Sequence, residues 1–392
     1  MKSSSHRSTS RKTSTLYTIS IIGFFATLHT ALPSYFNSSF LSTLTEAKNV
    51  SFLYALVALV SIVGLLSMNT ILKRWGNYAT SLTLIIVQMA IFAGIIFADS
   101  IYVVAPLFVA ALSIMTLIGF TLDIFLEKDT DVSHTGGIRG TYMTTLNAAW
   151  ILSPLMGGAL IASNLYANIY LAGLAFLFPL AYLVHKNFSK FVDPAYPDVS
   201  VRSTFQNVIR NADLVKIFLI NIVLQTFFAW MTVYTPLYMS KIGFSWYEIS
   251  IIFTIMLLPF VLLELPLGKL ADKKWGEKEM LAIGFIIMGV TTCVFTFFPY
   301  KSFLLWAFLL FMTRVGAAMA EMMIETYFFK KVDKNDSEML GMFRVTRPIS
   351  FFVAPLITLI GLIYVEESQL FVILGILCMI TLFPIMRLRD TN

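Results

Sequence analysis

Charge is the scarcest commodity in this 392-residue chain: Asp, Glu, Lys and Arg together make up 13% of it. Ordinary soluble domains carry about a quarter. With 58% hydrophobic residues and a mean hydropathy of +0.80, a soluble globular protein is excluded. Cysteine is limited to Cys293 and Cys378, both inside long apolar runs, so no disulfide framework is available. Chemistry-bearing motifs are missing too. No phosphate-binding loop, zinc-binding histidine pair or serine-centred nucleophile motif occurs at a credible position, which argues against an enzyme, a bound cofactor and ATP-driven pumping. Asp129-x-Asp131-x-x-His134 is too sparse a set for a metal site.

What the chain has in abundance is apolar sequence, enough to fill about twelve membrane helices of about 20 residues. The apolar runs fall at about 16–37, 50–72, 79–98, 102–127, 138–162, 166–185, 214–239, 247–271, 280–298, 302–329, 339–364 and 368–387. The expected architecture is an all-α membrane protein of about twelve transmembrane helices in two pseudo-symmetric six-helix halves, 16–185 and 214–387. The stretch 186–213, with Asp193-Pro194-Ala195-Tyr196-Pro197-Asp198 inside it, is expected to link them. Residues 388–392 form a short C-terminal tail.

Lys and Arg concentrate in alternate connections. The N-terminal stretch, the Lys73-Arg74 turn and the segments 128–139, 186–216, 269–278, 330–347 and 387–389 hold nearly all of them, and the opposite set holds Lys48, Lys241 and Lys301. Basic connections are retained in the cytoplasm, so both termini are expected there, in the plasma (inner) membrane of a monomer. The net charge of +6 then reports topology and needs no nucleic acid. Residues 1–15, basic and serine-rich, are expected to be a disordered cytoplasmic tail rather than a transit peptide.

Fixed-offset self-similarity supports two related halves. At an offset of 200, Lys73-Arg74-Trp75-Gly76 overlays Lys273-Lys274-Trp275-Gly276. At 198, Asp123 and Glu127 overlay Glu321 and Glu325. At 201, Gly140, Thr145 and Pro154-Leu155 overlay Gly341, Thr346 and Pro355-Leu356.

With these features, and with Gly268-Lys269-Leu270-Ala271-Asp272-Lys273-Lys274-Trp275-Gly276 after the eighth span, the chain resembles the major facilitator superfamily of secondary transporters. That segment is similar to the family's Gly-x-Leu-Ala-Asp-Arg-x-Gly loop, with one extra residue before the last glycine. In the first half Leu72 stands where the repeat would place the acid, leaving Lys73, Arg74 and Gly76. Gly140, Ala149 and Ser153-Pro154-Leu155-Met156-Gly157-Gly158 look like the family's antiporter motif with two glycines replaced; tight helix packing explains the same pattern.

Ionisable groups near the bilayer centre cost at least about 2.5–3.5 kcal/mol on insertion scales, so each needs a partner or a role. Arg314, Glu321 and Glu325 share one face of the tenth span. Two readings compete for the charged set. Asp272, Glu264, Glu325, Asp123, Glu127, Arg344, Arg347 and Arg74, with Gly268, suit a cytoplasmic gate. Arg314 and Glu321 suit substrate or proton coupling. The resemblance implies that the first and seventh spans line the cavity, which adds His29, Asn221, Gln225 and Trp230 as substrate contacts; helix–helix hydrogen bonding is the plainer role for such groups. The expected function is a secondary active transporter of a small solute, coupled to protons and exporting an amphipathic or cationic compound. The alternatives are an importer or uniporter of sugars or organic acids, which Arg314 would suit, and a transporter-shaped receptor or assembly factor without flux.

Overall fold

The computed structural model describes residues 2–128, 135–161, 165–194, 196, 201–271, 276–331 and 337–389. Its helices are α1 (Lys2–Ser34), α2 (Asn37–Ser42), α3 (Ala47–Ile96), α4 (Ile101–Lys128), α5 (Thr135–Ile161), α6 (Ala167–Phe188), α7 (Val201–Arg210), α8 (Ala212–Lys241), α9 (Trp246–Ala271), α10 (Glu277–Val294), α11 (Phe303–Lys331), α12 (Ser337–Tyr364), α13 (Leu370–Ile380) and α14 (Leu382–Met386). Among the described residues there is no strand. Hydrocarbon supplies no hydrogen bonds, so a chain this apolar must satisfy its backbone within each crossing segment, and the helix does that.

Among the described residues, eleven helical stretches are long and apolar enough to cross a membrane. One of them, Lys48–Ile96, is two crossings in one. Helix α3 has 50 residues, about 75 Å at 1.5 Å per residue, more than twice a hydrocarbon core of about 30 Å. Gly76 breaks it with φ 73° and ψ 163°. With the arms of α3 taken separately, the twelve spans read from hydropathy are all present.

The first residues differ from expectation: α1 is helical from Lys2, where a disordered tail was expected. No glycine or proline precedes Gly23 to interrupt the helix that the apolar residues continue. The linker also holds structure, since α7 lies within it.

Two compact units emerge, one of Met1–Ser34 with Val63–Pro197, the other of Tyr35–Ile62 with Asp198–Asn392. In the first, α1 packs on α5 and α6. An aromatic seam joins α4 to α6 and the residues after it, Phe125 stacking on Phe188 at 4.0 Å with Phe191 edge-on at 4.7 Å. In the second, α10 packs on α11 and α13, α11 on α9, and α8 on α12. Rings from four helices lock its centre: Phe371 lies 4.9 Å from Trp230 and 5.0 Å from Phe295, which lies 4.9 Å from Trp306. The segment 35–62 joins this unit through rings, Tyr35 against Phe253 at 5.1 Å and Phe36 against Trp246 at 5.5 Å.

The three lysines on the lysine-poor side each meet an acid. Lys48 lies 3.7 Å from Glu46, Lys241 2.9 Å from Glu367 and Lys301 2.8 Å from Glu248. Their charge is locally cancelled, which sharpens the asymmetry between the two sets of connections.

Helices α10 and α11 approach most closely at Gly284 and Gly316. A Cβ on Gly316 would sit 2.5 Å from the Gly284 carbonyl oxygen and 2.7 Å from the Met288 amide nitrogen. Backbone atoms cannot step aside as a side-chain tip can. Gly316→Leu should therefore lower the melting temperature in detergent, overpacking costing about 1–3 kcal/mol. Gly119→Leu, on α4 with nothing within 4 Å, should melt like the parent.

Candidate functional site

Arg314 lies near the middle of the 29-residue α11 and is 2% exposed. Its guanidinium carbon stands 5.3 Å from the ring centre of Phe227 and 5.4 Å from that of Phe228, both on α8. A desolvated cation over an aromatic face gains about 2 kcal/mol, which offsets only part of the burial cost. Its Nε and Nη1 have no hydrogen-bond partner.

Counting 1.5 Å per residue back from the described ends of α11 and α12 on their shared connection, Glu321 and Arg347 each lie about 15 Å along their helices. Each helix runs past its apolar span, so measured from the span ends at Phe328 and Gly341 both residues lie about 10 Å inside; the sequence pattern groups Arg347 with the gate. Tyr35 and Glu321 both lie within electrostatic reach of Arg314 and of Arg347. Tyr35 is buried, whereas Arg347 is enclosed by protein on most sides yet open to solvent. Among the described residues, the second unit thus gathers two guanidiniums, one carboxylate and one phenol within the apolar spans, together a charge of +1 at neutral pH. Tyr35 escapes a reading of the sequence because it follows the end of the first helix and joins this set only through tertiary packing.

The expected contacts on α8 have other partners. Asn221 donates to Thr346 Oγ1 at 2.8 Å and Trp230 Nε1 donates to Thr358 Oγ1 at 2.9 Å. Ser350 adds a bond to the Ile222 carbonyl at 3.0 Å. All three zip α8 to α12, the plainer role for such groups. Gln225 is half-buried on α8. His29 belongs to the first unit, buried beside Phe92, its ring centre 6.4 Å away, with Nδ1 unbonded.

At the α3 break in the first unit the backbone needs Gly76: its φ is positive, and a Cβ there would meet Asp193 Oδ2 at 2.6 Å. Asp193 Oδ1 accepts from the Asn77 amide at 2.7 Å and from the Tyr196 hydroxyl at 2.6 Å. The carboxylate therefore caps the second arm of α3 at its positive end. Burial and the neighbouring Asp193 carboxylate push the Tyr196 phenol well above its usual range, so it remains a donor at physiological pH. Asn77 Nδ2 extends the tie to the Thr121 carbonyl on α4 at 2.9 Å. Leu72, where the repeat would place an acid, is buried at 2%. The acid at this turn comes instead from the segment after α6.

Residues 236–391 match the family model described as Major Facilitator Superfamily. Over that stretch, about two fifths of its length, the chain is similar to that superfamily. No curated protein matches it. Members of that superfamily are secondary transporters rather than enzymes, and the apolar helices make this chain an integral membrane protein of the same all-α kind.

For the loop signature, Gly268 and Glu264 are on α9, while Asp272 lies outside the described residues. Glu127 is on α4 and Gly140 on α5; Asp129, Asp131 and His134 lie outside the described residues. Asp123 on α4, Glu325 on α11 and Arg344 on α12 are half-buried, and Arg74 is exposed. Pro154, Gly157 and Gly158 are buried on α5. Ser153 there bonds the Ala149 carbonyl at 2.7 Å, so it is satisfied within its own helix.

Losing the Asp193 cap should cost about 1 kcal/mol. Hydrogen exchange at the Asn77 amide should quicken in Asp193→Ala and quicken less in Asp193→Asn, which keeps an acceptor. Unchanged exchange in Asp193→Ala would show that the carboxylate does not hold this turn.

Proposed function

We propose that the chain is a proton-coupled secondary active transporter that exposes a central solute site alternately to the two sides of the membrane. The observation that supports it is Arg314, buried in the middle of a membrane-length helix with Nε and Nη1 unbonded. A group so costly is retained where a solute or a change of state can meet it. Glu321, facing two guanidiniums from the same helix as Arg314, is the proposed proton carrier, and loss of its charge would alter how strongly both arginines attract a solute. The loop segment 268–276 with Glu264, the first unit's Asp123, Glu127 and Arg74, and the second unit's Glu325 and Arg344 are the proposed gate elements. Both termini are assigned to the cytoplasm and the protein to the plasma (inner) membrane, supported by the lysine and arginine asymmetry. The solute meets the protein as a monomer in this reading.

Pyranine-loaded proteoliposomes test the coupling. Challenged with a panel of sugars, organic acids and organic cations, the parent should move protons with at least one compound. Glu321→Gln should retain counterflow of that compound while its proton signal disappears. Flux without proton movement in the parent would refute the coupling. An absence of counterflow for every compound would favour a receptor or assembly factor of transporter shape.

A further inference from the structure

Arg314 is buried with Nε–H and both Nη1 hydrogens unmet, between the rings of Phe227 and Phe228. A guanidinium retained for structure would be expected to spend its donors on carbonyls or carboxylates, because unmet buried donors are costly. Arg347, open to solvent yet deep along α12, faces the same Tyr35 and Glu321. Among the described residues one carboxylate, Glu321, serves both cations, which leaves this group short of one negative charge. Sugars carry none, and an organic cation would be repelled. A phosphate dianion would overshoot, whereas a single carboxylate restores neutrality and matches the planar fork of a guanidinium. Phe228, half-buried beside the guanidinium, offers an apolar surface to the rest of such a molecule, while Phe227 is buried against the same cation.

We propose that the second unit binds a small organic monocarboxylate, its carboxylate held by Arg314 with Arg347 as the solvent-facing partner and its apolar body against Phe228. Passage of the bound acid across the membrane rests on the transporter reading, and the site favours an organic acid over the amphipathic or cationic compounds that the sequence suggested.

The test is thermal melting of the purified full-length protein with benzoate, phenylacetate, lactate and pyruvate, each against its neutral amide, and with chloride and inorganic phosphate. At least one carboxylate should raise the melting temperature while its amide does not. Arg314→Gln should weaken the apparent Kd for that carboxylate about 10- to 100-fold, the loss of a charge-assisted hydrogen bond. Without ligand, Arg314→Met should melt at or above the parent temperature, since it removes an unsatisfied buried charge. Arg347→Gln, altering an open side chain, should weaken binding without changing melting of the empty protein. The proposal is overturned if no carboxylate shifts melting, if amides, chloride or phosphate act equally well, or if Arg314→Gln still responds. It is also overturned if Arg314→Met melts far below the parent, which would make the arginine structural. Binding of a carboxylate with no counterflow of it would leave the site standing and remove the transporter reading; counterflow of a neutral or cationic compound alone would do the reverse.

Discussion

Hydrocarbon offers no hydrogen bonds, and nearly every feature of this molecule answers to that constraint. The backbone meets it by becoming helix. Hydroxyl side chains meet it by bonding the carbonyl one turn back, as Ser153 does to Ala149, Thr292 to Met288 and Ser350 to Thr346. Larger polar groups meet it across helices, as Asn221 and Trp230 do on α12. Once these are accounted for, the unbonded buried nitrogens of Arg314 stand out, because no local rule disposes of them.

The two units handle charge differently. In the first, a carboxylate is used at a turn: Asp193 caps the second arm of α3 and the glycine beneath it leaves room for its oxygen. That is a local device, satisfied by a backbone amide and a phenol. In the second, charges sit within the apolar spans of α11 and α12, and among the described residues two guanidiniums share one carboxylate. An arrangement complete in itself suits a joint; one that is short of a charge suits a site that receives something.

Much of this was legible in the sequence. The twelve crossings follow from apolar runs whose length is set by the bilayer, and the likeness to the superfamily from the loop segment and the repeat. Arg314 could be picked out because an arginine inside an apolar run is rare enough to need a reason. The α3 break at Gly76 was also marked, by the repeat with Gly276. Other signals pointed elsewhere. Asp193 read as a linker residue beside Pro194, since nothing local shows that the chain returns to Asn77, 116 positions earlier. Asn221 and Trp230 read as solute contacts because sequence cannot show that Thr346 and Thr358 stand opposite them. The company Arg347 keeps with Tyr35 and Glu321 was not legible either, because it depends on how the helices pack.

By itself, then, the sequence determined the solvent, the number of crossings and the scarcity of charge, because these depend on composition and on periods of a few residues. Tertiary structure decided which charges share a neighbourhood. Arg314, Arg347, Glu321 and Tyr35 come from three separate stretches of chain, and only packing places Tyr35 with the others. Electrostatic balance is a property of that neighbourhood and not of any one segment, so the missing negative charge became visible only in the fold.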